Sequence, residues 1–284
     1  MSEEHSSGHR QRLLDTWASK GSFVAVDLDG TLLRPDFSVS RRTRDAVERF
    51  FAAGFVLVAA TARSPRAVCG LIEHAAGLRG MAICSNGALL VDLSSRTIIS
   101  RHCIPPQMAT EVISQLREAM PGITFAIESD FRFCCEPSYP ARPTPGTSVI
   151  DSSEFTTLPI AKLLAFHPAL PRGALSNAVE SRFGGYVEVT HSTTQELLEI
   201  SGQGVDKGAA VAEVASLIGV SAAETMAVGD MVNDASMLRW AGIAVAVANA
   251  HPSILAIADV IVASNEHDGI AEVLERLVNA KRGA

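Results

Sequence analysis

Phe23-Val24-Ala25-Val26-Asp27-Leu28-Asp29-Gly30-Thr31-Leu32 is the stretch on which the reading of the whole chain turns. Four β-prone apolar residues stop abruptly at two aspartates and a glycine, the pattern of a buried strand that feeds a polar loop. In an open parallel sheet, ligands collect outside the carboxyl ends of the strands, so polar residues directly after such a run are the first candidates for chemistry. Taken alone, an Asp-x-Asp-Gly run is readily an ordinary turn, its aspartates capping backbone N–H groups and its glycine supplying positive φ. What decides the matter is whether other strands end the same way.

They do. Ser40 is placed to cap a helix ending near Gly54, after which Phe55 to Ala60 forms a second apolar run that stops at Thr61-Ala62-Arg63. A helix from Pro65 to Ala76 leads to a third run, Met81 to Cys84. Strand and helix alternate at the pitch of a parallel sheet with crossover helices. The rhythm returns after Gly202: a helix from Lys207 to Ile218, a strand Thr225 to Val228 ending in Gly229-Asp230-Met231-Val232-Asn233-Asp234, a helix Ala235 to Trp240, then strands Ile243 to Ala246 and Asp259 to Val262. Two strands ending in aspartate-rich loops make coincident turns a poor explanation of both.

The middle of the chain behaves differently. Ala88 to Val91 and Thr97 to His102, separated by Asp92-Leu93-Ser94-Ser95-Arg96, read as a hairpin. A helix near Gln107 to Met120, short strands, a proline-rich loop from Pro137 to Pro145 and strands near Tyr186 to Thr190 and Glu196 to Ile200 follow. The expected fold is therefore α/β: a doubly wound parallel sheet formed by residues 21–88 and 202–284, interrupted by an inserted α+β unit at 89–201. Residues 1–20 are expected to be a loose extension or a surface helix.

The 284 residues carry 24 Lys and Arg against 31 Asp and Glu, a net charge of −7, with no basic run beyond Arg41, Arg42 and Arg44. Nucleic acid and anionic membranes are poor partners for such a surface. The five cysteines form no C-x-x-C pair and read as reduced thiols. The first twenty residues lack the apolar core of a signal peptide, and no run reaches the roughly 18 apolar residues of a membrane span. A cytoplasmic protein is expected.

Asp27, Asp29, Asp230 and Asp234 converging on one end of a sheet would repel one another unless a cation sat among them. An all-oxygen set suits Mg²⁺, and zinc would want His or Cys ligands that these motifs lack. Lys207 at a helix start supplies the positive partner for a phosphate, with Thr61 and the Ala62 N–H as neutral donors, so the ensemble suits phosphoryl transfer. An aspartate near its reference pKa of about 4 is ionised at neutral pH, and Asp27 can attack phosphorus without a base to activate it. Asp29 is suited to the complementary work of giving a proton to the leaving oxygen and then taking one from water.

In order and spacing, Asp27-Leu28-Asp29-Gly30-Thr31-Leu32, Ala60-Thr61-Ala62-Arg63, Ser85-Asn86-Gly87-Ala88, Asp206-Lys207-Gly208 and the Gly229 to Asp234 run resemble the haloacid dehalogenase-like superfamily, its Cof-type phosphatases in particular. Val247-Ala248-Asn249-Ala250 and Asp268-Gly269-Ile270-Ala271 look like the family's closing segments. The resemblance implies a Rossmann-like core with a cap inserted after the third strand, and a Mg²⁺-dependent hydrolysis of a small phosphorylated metabolite, such as a sugar or cofactor phosphate. It implies Asp27 as nucleophile and metal ligand, Asp29 as acid/base offering its backbone carbonyl to the metal, and Asp230 as a further ligand. Thr61, Ala62, Lys207 and Asn233 would hold the phosphoryl group, with Asp234 behind Lys207 or a metal-bound water. Ala62 stands where many members carry glycine; if the position needs positive φ, its methyl would cost about 1 kcal/mol.

Substrate choice would fall to the insert. Glu128, Asp130, Arg132, Tyr139 and His191 are its candidates, with Arg63 and Asn86 from the core side. Each has a plainer reading: alternation with apolar residues makes Glu128, Asp130 and Arg132 fit the solvated face of a strand, His191 a surface loop, and Arg63 a structural ion pair. A sugar phosphomutase shares the same motifs, and a non-catalytic phospho-ligand binder would differ by lacking Asp29.

Overall fold

The computed structural model describes residues 13–72, 77–140, 146–171, 173–191 and 197–283. Two sheets organise them. The larger has eight strands in the order β14-β13-β12-β1-β2-β3-β4-β5. Its centre is β1 (Phe23–Val26), flanked by β2 (Val56–Ala60) and, on the other side, β12 (Thr225–Gly229). Beyond β2 lies β3 (Met81–Cys84), and beyond β12 lie β13 (Ile243–Val247) and β14 (Val260–Val262), all parallel. Both faces are covered, and β1, β12 and β13 are buried along their whole length, which is why they read as continuous apolar runs rather than alternations.

The crossovers are helical. Helix α1 (Arg41–Ala52) starts where Ser40 Oγ accepts the Thr43 N–H at 3.0 Å, as expected of an N-cap. Helix α2 (Pro65–Ile72) follows β2; the expected extension to Ala76 lies outside the described residues. The chain order reverses between β1 and β12, so the carboxyl ends of these neighbours form the crevice where an open α/β sheet binds ligands. Asp27 and Asp230 are the residues directly after those two strand ends.

Three expectations change. The hairpin β4 (Leu89–Asp92) and β5 (Thr97–Arg101) was assigned to the insert, but β4 pairs antiparallel with β3 and β5 with β4, so the hairpin extends the core sheet and the boundary at 89 moves beyond it. Residues 13–18, expected as part of a loose extension or a surface helix, are helical as in the second alternative but packed onto the core: Leu14, Trp17 and Ala18 are buried, with the Trp17 ring stacked on Phe55 at 6.5 Å. Residues 1–12 lie outside the described set. Finally, a three-residue strand follows the proline-rich loop, too short to show alternation in sequence.

The second sheet has six strands, ordered β10-β11-β9-β6-β7-β8. They are β6 (Thr124–Ser129), β7 (Arg132–Cys135), the short β8 (Thr147–Val149), β9 (Lys162–Phe166), β10 (Val187–His191) and β11 (Leu197–Gly202). All pairings are antiparallel except β7 with β8. Helices α3 (Pro106–Ala119) and α4 (Ala174–Phe183) pack on one face, against Phe125, Ile127, Leu163, Ala165, Leu198 and Ile200. The period of two sends Ala126, Glu128, Lys162, Leu164 and Glu199 to the other face.

The chain then returns to the first sheet through α5 (Lys207–Ile218), α6 (Ala235–Trp240), α7 (Pro252–Leu255) and α8 (Gly269–Gly283). No helix among the described residues is long and apolar enough to cross a membrane.

Candidate active site

Asp27 leaves β1 with its N–H donating to the Val228 carbonyl at 2.9 Å, so the neighbouring strand fixes where its carboxylate stands. Lys207 arrives from the opposite direction: the Asp206 side chain caps α5 by accepting the Ala209 N–H at 2.9 Å, which places Lys207 on the first turn. Gly208 lets this turn approach α6, because a Cβ there would lie 2.7 Å from the Ser236 backbone. The Lys207 ammonium, 1% exposed, donates to Asp27 Oδ1 at 2.6 Å and Asp234 Oδ1 at 2.5 Å. Asp234 Oδ2 in turn accepts the N–H groups of Asp230 and Met231, both at 2.9 Å. With both oxygens engaged by the protein, Asp234 orients Lys207 and the Asp230 loop.

Asp230 Oδ1 accepts the Thr31 hydroxyl at 2.8 Å. Carboxylate oxygens of Asp27, Asp230 and Asp234 lie within 4.8 Å of one another, all buried. The electrostatics follow. Burial raises the Asp27 pKa well above its ordinary value despite the opposing pull of Lys207, and Asp234 adds to the rise. Burial raises that of Asp230 to about 6, against the Thr31 hydrogen bond and with the repulsion of Asp234. The Lys207 pKa is raised: burial works against its charge, and Asp234 and Asp27 outweigh that. One ammonium among three carboxylates leaves negative charge uncompensated, and the donors are all oxygen. This acidic triad fits a hard divalent cation.

Thr61 follows β2, buried, its N–H donating to Ile83 and its hydroxyl oxygen accepting the Arg63 N–H at 3.1 Å. The Ala62 N–H carries no hydrogen bond among the described residues. Ala62 is also absent from the left-handed non-glycine residues, so its methyl brings no backbone strain and the concern about this position falls away. Those residues do include Ser85 and Asn86, with φ of 50° and 58°, where the chain turns sharply after β3. That turn puts Asn86 Oδ1 3.1 Å from the Asn233 side-chain amide.

Residues 24–274 match the haloacid dehalogenase-like hydrolase family. The chain belongs to that family. Among curated proteins, it is 26% identical to phosphatase YwpJ of Bacillus subtilis, over 90% of this chain and 99% of that one. It is also 26% identical to pyridoxal phosphate phosphatase YbhA of Escherichia coli, over 88% and 96%. Among solved structures, a haloacid dehalogenase-like hydrolase from Bacteroides thetaiotaomicron superposes with a TM-score of 0.76 at 26% identity, covering 91% of this chain and all of that one. The α/β fold and the Cof-type resemblance read from the motifs agree with these likenesses.

Within this haloacid dehalogenase-like core, Asp29 stands apart from the triad. Its carboxylate is gripped by Arg63, with Nε 2.6 Å from Oδ2 and Nη2 on Oδ1. The guanidinium also lies 4.7 Å from the ring centroid of the exposed Phe37, itself left-handed at φ 63°. Arg63 is thus an ion-pair partner of Asp29.

The cap candidates separate. Glu128 comes to the core loops, accepting the Ser85 hydroxyl at 2.6 Å. Asp130 instead pairs with Arg101 at 2.8 and 3.0 Å, and Arg132 is exposed on β7, away from the cluster. Tyr139 is half-buried between Phe133 and Phe166, where burial pushes its hydroxyl pKa up. The side chain of His191 lies outside the described residues. Sequence reasoning missed Thr31, Lys162 and Glu199. Lys162 is 1% exposed, donates to the Ala62 carbonyl at 2.8 Å and pairs with Glu199 at 2.9 Å. The available signal was a single charge in each of two mostly apolar strands, KLLAF and LLEISG.

Proposed function

We propose that this hydrolase is a Mg²⁺-dependent phosphatase that cleaves a small phosphorylated metabolite through an aspartyl phosphate on Asp27. The observation that carries the reading is the buried meeting of Asp27, Lys207, Asp230 and Asp234 at the point where the strand order reverses. In this reading Lys207, Thr61, the free Ala62 N–H and Asn233 hold the phosphoryl oxygens, and Asp27 attacks phosphorus. The bond from phosphorus to the leaving oxygen breaks as Asp29 delivers a proton to that oxygen. Asp29 then takes a proton from water, whose oxygen displaces Asp27 and releases inorganic phosphate. Mg²⁺, held by Asp27 and Asp230 together with the Asp29 carbonyl, would supply positive charge to offset the carboxylates and the phosphoryl oxygens.

The second sheet with α3 and α4, residues 104–202, we take as a cap that shields this reaction from bulk water. The named activities of YwpJ and YbhA support a phosphate monoester as substrate. Five free cysteines and a net charge of −7 fit a cytoplasmic enzyme of small-molecule metabolism.

The test is phosphate release from about a hundred phosphorylated metabolites, with Mg²⁺ and with excess EDTA, for the native protein, Asp27→Asn and Asp29→Ala. Metal-dependent release, reduced at least about a thousandfold in Asp27→Asn with its circular dichroism unchanged, is expected. Full activity in Asp27→Asn would overturn the mechanism. Interconversion of sugar phosphates without release would identify a mutase instead.

A further inference from the structure

The face of the second sheet that α3 and α4 leave uncovered is apolar at Ala126 and Leu164 but charged where it meets the core loops. Three side chains from three adjacent strands converge there. Lys162 Nζ lies 2.9 Å from Glu199 Oε2, 3.7 Å from Glu128 Oε2 and 2.8 Å from the Ala62 carbonyl. Burial works against the charge on this lysine, and Glu128 and Glu199 outweigh it and hold its pKa above the ordinary value. Its ammonium is enclosed and, among the described residues, faces only these acceptors.

The two carboxylates are differently placed. Their side chains are 13% and 18% exposed. Among the described residues, the hydrogen bonds and ion pairs they make run through Oε2: Glu128 with Ser85 and Lys162, Glu199 with Asn86 at 3.4 Å and Lys162. Among the described residues, Oε1 of each carries no hydrogen bond. Asn86 joins Glu199 to Asn233, and Ala62 joins Lys162 to the Thr61 loop, so the cluster abuts the groups assigned to the phosphoryl oxygens. Two carboxylates over one ammonium leave one negative charge on this wall.

We propose that Glu128 and Glu199, braced by Lys162, form the leaving-group subsite. It accepts phosphate esters whose alcohol carries hydroxyl or amino donors and turns away esters whose alcohol carries a carboxylate. The proposal rests on the phosphatase reading and deepens it. A hydroxyl or ammonium donor meets a carboxylate oxygen already desolvated and fixed in place, whereas a carboxylate there would meet like charge in a site screened from water.

The experiment compares kcat/KM for two matched pairs, glycerol 3-phosphate with 3-phosphoglycerate and sorbitol 6-phosphate with 6-phosphogluconate. p-Nitrophenyl phosphate reports the chemistry alone. The native enzyme should favour the member without a carboxylate in the better-used pair by roughly tenfold or more. Glu199→Gln should narrow that ratio by raising the rate on the carboxylated ester, and Glu128→Gln should move it in the same direction. Hydrolysis of p-nitrophenyl phosphate with no such preference in the native enzyme overturns the subsite and leaves the phosphatase standing, as does a preference that both variants leave unchanged. No release from any ester, p-nitrophenyl phosphate included, overturns the phosphatase reading itself.

Discussion

Lys207 Nζ lies 2.6 Å from Asp27 Oδ1 with both side chains closed off from solvent, although the two residues stand 180 positions apart in the chain. Neither charge is tolerable there alone. Replacing Lys207 by Met keeps the length of the side chain and leaves Asp27 and Asp234 as buried carboxylates without a counter-charge. A loss of about 3–5 kcal/mol is expected, read as a lowered midpoint in urea unfolding. A midpoint within error of the native value would refute the account of the pair.

The raised Asp230 pKa has a consequence for stability. The folded state holds this proton up to about pH 6, whereas an unfolded aspartate releases it near its ordinary value of 3.8. Between those values the folded state binds more protons, so the contribution to stability present at low pH is lost as pH rises through about 6. Asp27 acts in the same direction. A cation that prefers the ionised carboxylates should therefore stabilise the protein more as pH rises. In thermal melts, the increase in Tm from millimolar Mg²⁺ should be several degrees greater near pH 8 than near pH 5. An equal increase at both would contradict it.

Gly30 has φ of 81°, and a Cβ built there would lie 2.3 Å from Asp230 Oδ2. Gly30→Ala should displace the carboxylate that Thr31 holds and add backbone strain of about 1 kcal/mol. The expected result is a Mg²⁺ requirement raised about tenfold or more, with the fold retained. Titration of activity against Mg²⁺ checks this, and an unchanged half-saturation would count against Asp230 as a ligand.

Arg63 grips Asp29 from two sides of its carboxylate. Arg63→Ala removes that orientation and leaves the triad intact. kcat should fall about ten- to a hundredfold with a smaller change in KM, and added guanidinium should recover part of it. A change confined to KM would instead place Arg63 on the substrate.

The core was legible because its strands are buried on both faces and end in residues that serve no packing purpose: Asp27, Thr61 and Asp230 each interrupt an apolar run at the point where it leaves the sheet. The hairpin at 89–101 is legible as a hairpin, but its place in the core sheet is not, since local pattern announces antiparallel pairing without naming the outer partner. Trp17 packs on Phe55 through a contact 38 positions away, and a mixed polar segment gives no warning of it. The cap half of the site was harder. Glu128 and Arg132 share one alternation in sequence, yet the turn at Asp130 pairs Glu128 with Phe133 and Arg132 with Ser129, so Glu128 faces Ser85 while Arg132 stands exposed on the opposite face of the sheet. Lys162 and Glu199 look like isolated charges until the pairing of β11 with β9 and of β9 with β6 sets them beside Glu128.

The bond from Lys162 to the Ala62 carbonyl fastens the second sheet to the core beside those from Ser85 to Glu128 and from Asn86 to Glu199, and its donor is a buried amino group. For the two sheets to part, that group must exchange a carbonyl oxygen for water, and on closing it must be stripped of water again. On the proposed reading of the second sheet as a cap, admission of a ligand is thereby tied in part to the hydration of a buried cation, and the charges proposed to sort the substrate would also set the latch on the door it enters by.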